Sequence, residues 1–215
     1  MSSEKENYAG TFSQRRDRSW YQPLRVVLYA LGNGFLYSWA KGAVATEHLA
    51  VLDAGCGDGI LRRYLTGFAS YVGMDFSIRP LSRAQRYFPG NYVQGDLNGL
   101  PFADESFDVV FSFQALQYLA RPEVALGEIL RVMKPGGTLV LSVPNDGAKK
   151  YQRQGIPAVQ LQRFRRENLT RLLNAFEICS LEARGVWLPV PKISIHLPGQ
   201  SEGGLSWTVV ARKRE

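Results

Sequence analysis

The stretch VLDAGCGDGI, Val51 to Ile60, constrains the fold of this chain more than any other. An apolar run ends in three glycines, Gly55, Gly57 and Gly59, interleaved with Cys56 and Asp58. Glycine at this density costs conformational entropy, so it marks a place where the backbone turns sharply or approaches something closely. An apolar strand that ends in such a turn and leads into a helix is the opening unit of a parallel α/β sheet.

The chain then repeats that unit. LAVLDAG, YVGMDF, NYVQGD, FDVVFSFQ and TLVLSVP read as five strands. FDVVFSFQ is apolar almost throughout, as strands covered on both faces are. ILRRYLTGF, SIRPLSRAQRYF and PEVALGEILRVM read as helices, with Ser77 placed as an N-cap. In the last of them Val124, Leu126, Ile129, Leu130 and Met133 fall at helical spacing, and KPGG stops it. RRENLTRLLNAF reads as a further helix, followed directly by two strands, EICSLEARGVW and LSWTVVARKR. The expectation is a Rossmann-like, doubly wound α/β sheet, mostly parallel, with one antiparallel member at the end. Ligands in such sheets bind beyond the carboxyl ends of the strands, where the strand order reverses.

With 215 residues, 45% hydrophobic and 21% charged, the chain suits one globular domain. Cys56 and Cys179 make no disulfide framework, and no His/Cys spacing suits a metal, so none is expected. The opening MSSEKENYAG lacks the pattern of a signal peptide, and a cytoplasmic location is expected. Residues 1–45 read as a lid or cap on a domain formed by residues 46–215. Within the cap, Val26–Ala40 is apolar, bracketed by Arg25 and Lys41 and broken by Gly32-Asn33-Gly34. It is too short to span a membrane and reads as one or two helices covering a site. Peripheral contact with a membrane surface is the alternative.

The glycine spacing is G-x-G-x-G, not the G-x-G-x-x-G of dinucleotide sites, and position 60 is isoleucine. Asp58 sits in the turn and Asp53 just before it, charges that disfavour a pyrophosphate. No Walker lysine is present. A ligand with a nucleoside, a positive charge and no phosphate fits better, and S-adenosylmethionine is one. Asp75 ends the second strand at the spacing of a ribose-binding carboxylate, about 20 residues past the first glycine. Asp96 ends the third strand and could accept from an exocyclic adenine amine. Three successive strand ends carry three acids.

The segments VLDAGCGDG, VGMDFS, GDLNGLPFADESFDVVFSFQALQYL and LRVMKPGGTLVLSVPN resemble those of the class I S-adenosylmethionine-dependent methyltransferases, specifically the small methyltransferase-11-like group. They span roughly Leu49 to Asn145 in that family's order. The resemblance implies a seven-stranded sheet with an antiparallel last strand. It also implies that Asp53 and the backbone of Gly55, Cys56, Gly57 and Gly59 border the methionine part of the cofactor. By the same resemblance Asp75 binds the ribose with Phe76 beside the adenine, Asp96 binds the adenine amine with Leu97 against the ring, and Gln114 lines the site near the methyl. Cys56 itself reads as a small, close-packed residue.

Methyl transfer is an in-line displacement in which the protein aligns the nucleophile and excludes water. Many relatives carry an L-x-H-L stretch after the fourth strand; here it is ALQYL, with Gln117 and Tyr118. Gln117 can orient an acceptor but cannot take its proton; it is one catalytic candidate, and capping the next helix is its other reading. Tyr118 is read equally as core or as part of the acceptor pocket. His48 reads as a surface or turn residue. His196, in PVPKISIHLPGQSEGG, is the second catalytic candidate, with a solvated loop histidine as the other reading; that segment reads as a flap over the acceptor. The acceptor pocket is expected from variable parts carrying Trp20, Tyr21, Phe35, Tyr37, Trp39, Tyr151, Phe164 and Trp187, and the resemblance implies that Tyr8 belongs to a lid over the cofactor. Such aromatics suit an apolar or ring-bearing small molecule, though some must pack the cap on the sheet.

The net charge is +7, with Lys149, Lys150, Arg153, Arg163, Arg165 and Arg166 close together. A nucleic-acid groove would use such residues, but no separate RNA-binding module accompanies them, and a solvated face is the preferred reading. The expected function is methyl transfer to oxygen or nitrogen of a small acceptor from secondary, quinone or lipid metabolism. An RNA methyltransferase using residues 149–166 and a non-catalytic cofactor-binding scaffold are the alternatives.

Overall fold

The structure is a computed structural model, and it describes residues 34, 36–148, 162–188, 193–195 and 204–214. Seven strands form one sheet: β1 (Ala50–Ala54), β2 (Ser70–Asp75), β3 (Asn91–Gln94), β4 (Phe107–Phe113), β5 (Met133–Pro144), β6 (Phe176–Arg184) and β9 (Ser206–Lys213). Their order across the sheet is β3-β2-β1-β4-β5-β9-β6. The pairs β1–β2, β2–β3, β1–β4 and β4–β5 are parallel, and β9 runs antiparallel to both β5 and β6. This is the doubly wound sheet the sequence predicts. The winding reverses between β1 and β4, so the glycine turn that follows β1 lies at the switch point.

Alternation along the strands makes two apolar faces. On one, Leu52, Met74, Val110, Leu139 and Val209 are buried with α2 (Pro122–Val132) and α3 (Arg166–Leu172) packed over them. Burying a side chain of this kind contributes about 1.5–3 kcal/mol. On the other, Val51, Tyr71, Val109, Phe111, Phe113 and Val140 lie against Leu36 and Ala40 of the helical segment over residues 36–43. α1 (Ile78–Tyr87) follows β2 and buries Pro80, Leu81 and Ala84.

Three local expectations are corrected. ILRRYLTGF is not a full helix: only Ile60–Arg63 forms a 3-10 turn. Gly67, at φ 76°, then turns the chain back, and β2 begins at Ser70. The strand after α2 begins at Met133 instead of Thr138, because KPGG ends the helix by passing directly into sheet pairing, with Gly136 at φ 70°. The segment read wholly as a flap contains a short strand, Ile193–Ile195 (β8), paired antiparallel with Val186–Leu188 (β7).

Candidate active site at the carboxyl edge

Gly55, Gly57 and Gly59 all adopt left-handed backbone, at φ 86°, 55° and 71°. Two of them are also glycine for packing. A Cβ at Gly55 would stand 2.5 Å from the Ala115 Cβ, and one at Gly59 would stand 2.8 Å from the Ala84 Cβ. Gly57 differs: a Cβ there meets nothing within 4 Å. The turn is therefore pressed against the β4 turn at one end and α1 at the other, and its middle faces open space. Such a cradle admits a ligand against bare backbone.

Asp75 fixes the cradle. Its Oδ2 accepts the Gly57 N–H at 2.8 Å and its Oδ1 accepts the Ser77 N–H at 2.8 Å. Gly55 and Cys56 both donate their N–H groups to the Met74 carbonyl, at 2.7 and 2.9 Å. Gly59 donates to the Cys56 carbonyl at 3.0 Å, so four N–H groups of the turn are engaged within the protein. Asp58 is salt-bridged to Arg83 of α1 at 2.9 Å, so its charge is balanced in place. The bias against phosphate then rests chiefly on Asp75.

Asp53 lies beneath the turn, 2% exposed, and accepts the Tyr71 hydroxyl at 2.8 Å. Burial pushes its carboxyl up to about 7; the Tyr71 hydrogen bond opposes that shift and the nearby Asp75 adds to it. Burial, reinforced by Asp53 and Asp75, pushes the Cys56 thiol far above its ordinary range. Cys56 thus stays a thiol, its sulfur packed close to Gly73.

Asp96 follows β3, where its Oδ1 accepts both the backbone and side-chain N–H of Asn98 at 3.0 Å. Leu97 is buried, close to the Gly55 position, whereas Phe76 is 39% exposed beside Asp75. The loop carrying Asp96 and Leu97 is clamped from α2. Arg131 donates to the carbonyls of Leu100 and Phe102 at 2.9 and 2.8 Å and pairs with Asp104 and Glu128, and Glu128 accepts the Leu100 N–H at 2.8 Å.

After β4, Gln114 takes the left-handed φ of 53°. Its Nε2 donates to the Ser142 Oγ at 2.9 Å and the Ser206 Oγ at 3.2 Å, and its Oε1 accepts from Gln117 Nε2 at 3.4 Å. Gln117 lies in the 3-10 turn Leu116–Tyr118 and is 3% exposed. Its side chain reaches Gln114 rather than capping α2.

The structure thus brings Asp53, Gly55, Cys56, Gly57, Gly59, Asp75, Phe76, Asp96, Leu97, Gln114 and Gln117 to one edge of the sheet. Tyr118 is half-buried in the same turn. Tyr37 stacks at 5.5 Å from Tyr64 and 5.9 Å from Phe113, in the packing of the 36–43 segment on the sheet. Phe164 is core: its carbonyl accepts the Trp207 indole N–H at 2.8 Å. The Arg184 guanidinium lies 5.2 Å over the Trp39 ring. His48 is exposed in a turn, as expected. Tyr8, Trp20, Tyr21, Phe35, Tyr151, His196 and the side chain of Trp187 lie outside the described residues, as does most of Val26–Ala40. Of the basic stretch, Arg165 pairs with Asp146 at 3.1 Å and Arg166 lies 5.7 Å over the Trp207 ring. Among the described residues no helix is long and apolar enough to cross a membrane, and no three side chains are grouped to hold a metal.

Sequence reasoning missed Tyr71, Ser142, Ser206 and Arg131. The two serines leave one signal, a small polar residue inside the apolar runs TLVLSVP and LSWTVV.

Residues 52–141 match the family described as a methyltransferase domain. The malonyl-[acyl-carrier protein] O-methyltransferase of Erwinia pyrifoliae is 39% identical over 104 residues, covering 47% of this chain and 40% of that one. The demethylmenaquinone methyltransferase of Renibacterium salmoninarum is 40% identical over 105 residues, covering 48% and 44%. The match thus spans less than half the length of these curated relatives. A crystal structure of an S-adenosylmethionine-dependent methyltransferase from Thermotoga maritima superposes over 100% of both chains, with TM-score 0.73 at 18% identity, a likeness of fold. Open space over the bare backbone of Gly57, beside the Asp75 carboxylate, is what a site for S-adenosylmethionine requires.

Proposed function

We propose that this protein transfers a methyl group from S-adenosylmethionine to oxygen or nitrogen of a small, apolar or ring-bearing acceptor. One observation carries the cofactor reading. Asp75 is tied by its two oxygens to the N–H groups of Gly57 and Ser77, at the edge of a cradle that only a Cβ-free residue leaves open. A carboxylate can accept hydrogen bonds from two neighbouring hydroxyls.

The bound cofactor would supply a methyl group on a sulfonium, a leaving group that needs no acid from the protein. The chain's own residues then bind and align. Asp75 would hold the ribose hydroxyls, with Phe76 beside the base. Asp96 would accept from the adenine amine while Leu97 packs against the ring. The glycine turn, with Asp53 beneath it, would border the methionine part. Gln114 and Gln117 would line the approach to the methyl, so the rate advantage comes from alignment and exclusion of water. No described histidine lies in this turn to take a proton.

The relatives act, by their names, on malonyl-[acyl-carrier protein] and on demethylmenaquinone, which supports an acceptor outside the nucleic acids. Calorimetric titration with S-adenosylhomocysteine, NADH and ATP tests the cofactor reading. Selective micromolar binding of S-adenosylhomocysteine is expected; binding of NADH or ATP instead would overturn it.

A further inference from the structure

Among the described residues, the large apolar side chains that stand exposed are Phe76, Ile78 and Tyr87, at 39%, 55% and 64%. All three lie on α1 or just ahead of it. Single apolar side chains scattered over a surface are ordinary, whereas several gathered on one short element mark a place of contact. Positive charge gathers there too. Residues 76–95, FSIRPLSRAQRYFPGNYVQG, hold Arg79, Arg83 and Arg86 and neither an acid nor a lysine.

α1 turns Pro80, Leu81 and Ala84 inward. At 3.6 residues per turn this puts Arg79, Ser82 and Arg86 along the outward line, with Ile78 to one side and Tyr87 to the other. All five are exposed. Arg83 lies nearer the cradle, where it pairs with Asp58. Ile78 and Tyr87 are the first and last residues of the helix, so they stand about 14 Å apart with the arginines between them. The Arg86 guanidinium lies 5.7 Å over the Tyr87 ring.

We infer that the outward face of α1 docks the protein on an anionic lipid bilayer, with Arg79 and Arg86 at the headgroup phosphates and Ile78 and Tyr87 set into the interface. Charge complementarity calls for an anionic partner, because no acid interrupts the face. Arginine near such a surface gains from its negative potential, and tyrosine is favoured where headgroups meet hydrocarbon. Ile78 decides for lipid over nucleic acid: an aliphatic side chain offers no plane for a base to stack on, and the aromatic ring of α1 is already covered by Arg86. A planar surface also meets both ends of the helix at once. Phe76 carries the exposed surface from Ile78 to Asp75, so docking places the edge proposed to hold the cofactor beside the membrane. The docking itself does not depend on the cofactor reading.

Sedimentation of the whole chain with phosphatidylcholine vesicles, with and without phosphatidylglycerol and with no cofactor added, tests this. Binding is expected with phosphatidylglycerol only, and it should weaken as salt rises. Arg79→Gln together with Arg86→Gln should weaken it on the order of fivefold for each arginine. Ile78→Ser together with Tyr87→Ser should weaken it severalfold with the charge unchanged. The exposed Arg171 and Arg212 supply the control: Arg171→Gln with Arg212→Gln removes as much charge and should leave binding close to the wild-type level. If a double variant fails to fold, Arg86→Gln and Ile78→Ser alone decide. No binding to the anionic vesicles, an equal loss in the control variant, or no loss without Ile78 and Tyr87 would overturn the inference. Tighter binding of a single-stranded RNA than of the anionic vesicles would overturn it in favour of a nucleic-acid surface.

Discussion

The Asp75 carboxylate accepts the Gly57 N–H at 2.8 Å, so the residue proposed to hold the ribose also holds the glycine turn in shape. Asp75→Ala should therefore do two things. S-adenosylhomocysteine affinity should fall on the order of a hundredfold, through loss of charged hydrogen bonds. Stability should fall by about 1–3 kcal/mol, since the Gly57 and Ser77 N–H groups lose their acceptor. Calorimetry and urea denaturation separate the two effects; unchanged affinity would remove Asp75 from the site.

The glycines of the turn should respond differently to a methyl group. Gly57→Ala meets no atom, so it should cost only the left-handed backbone, about 1–2 kcal/mol, yet weaken S-adenosylhomocysteine binding sharply. Gly55→Ala meets Ala115 at 2.5 Å and should disturb the fold itself. Thermal melts of the two variants beside ligand titrations check this. Gly57→Ala binding as well as the wild type would show that no ligand lies over that backbone.

Asp53 makes stability depend on pH. Burial raises its carboxyl from 3.8 to about 7 in the folded protein. The folded chain then holds the proton more tightly than the unfolded one, so this contribution is complete below about pH 4 and is lost as pH rises to about 7. The loss is on the order of a few kcal/mol. Asp53→Asn does not titrate, so its melting temperature should gain on the wild type between about pH 4 and pH 8. Parallel pH profiles for the two proteins would refute the assignment.

Arg131 stands on α2 but secures the loop after β3. Arg131→Leu should speed amide exchange at Leu100 and its neighbours and weaken S-adenosylhomocysteine binding, while amides of β1 and β4 stay protected. Hydrogen-exchange mass spectrometry of the folded variant measures this. Uniform loss of protection would mean that Arg131 supports the whole sheet rather than this loop.

The sheet was legible because apolar strands such as FDVVFSFQ and VLDAG leave little choice of environment, and the glycine turn marked the end of β1, where the strand order reverses. The acids at three strand ends were legible for the same reason, since a strand end fixes where its next residue stands. Their partners were not. That Arg83 balances Asp58, that Tyr71 sits under Asp53, and that Arg131 reaches across to Phe102 are facts of packing between segments far apart in sequence. The shortness of the 3-10 turn at Ile60–Arg63 was equally hidden, because ILRRYL carries a helical pattern and only the return through Gly67 to β2 cuts it off.

β9 lies between β5 and β6, although it follows both in the chain. Until Ser206–Lys213 leaves the ribosome, β5 has an open edge and β6 has no sheet neighbour at all. Exposed edges of this kind recruit other strands, so the interval before β9 arrives is when a nascent chain is most open to mispairing. Ser206 also supplies one of the two oxygens that receive Gln114. Assembly of the amide pair at the carboxyl edge therefore waits for β9, which follows both of its neighbours in the chain.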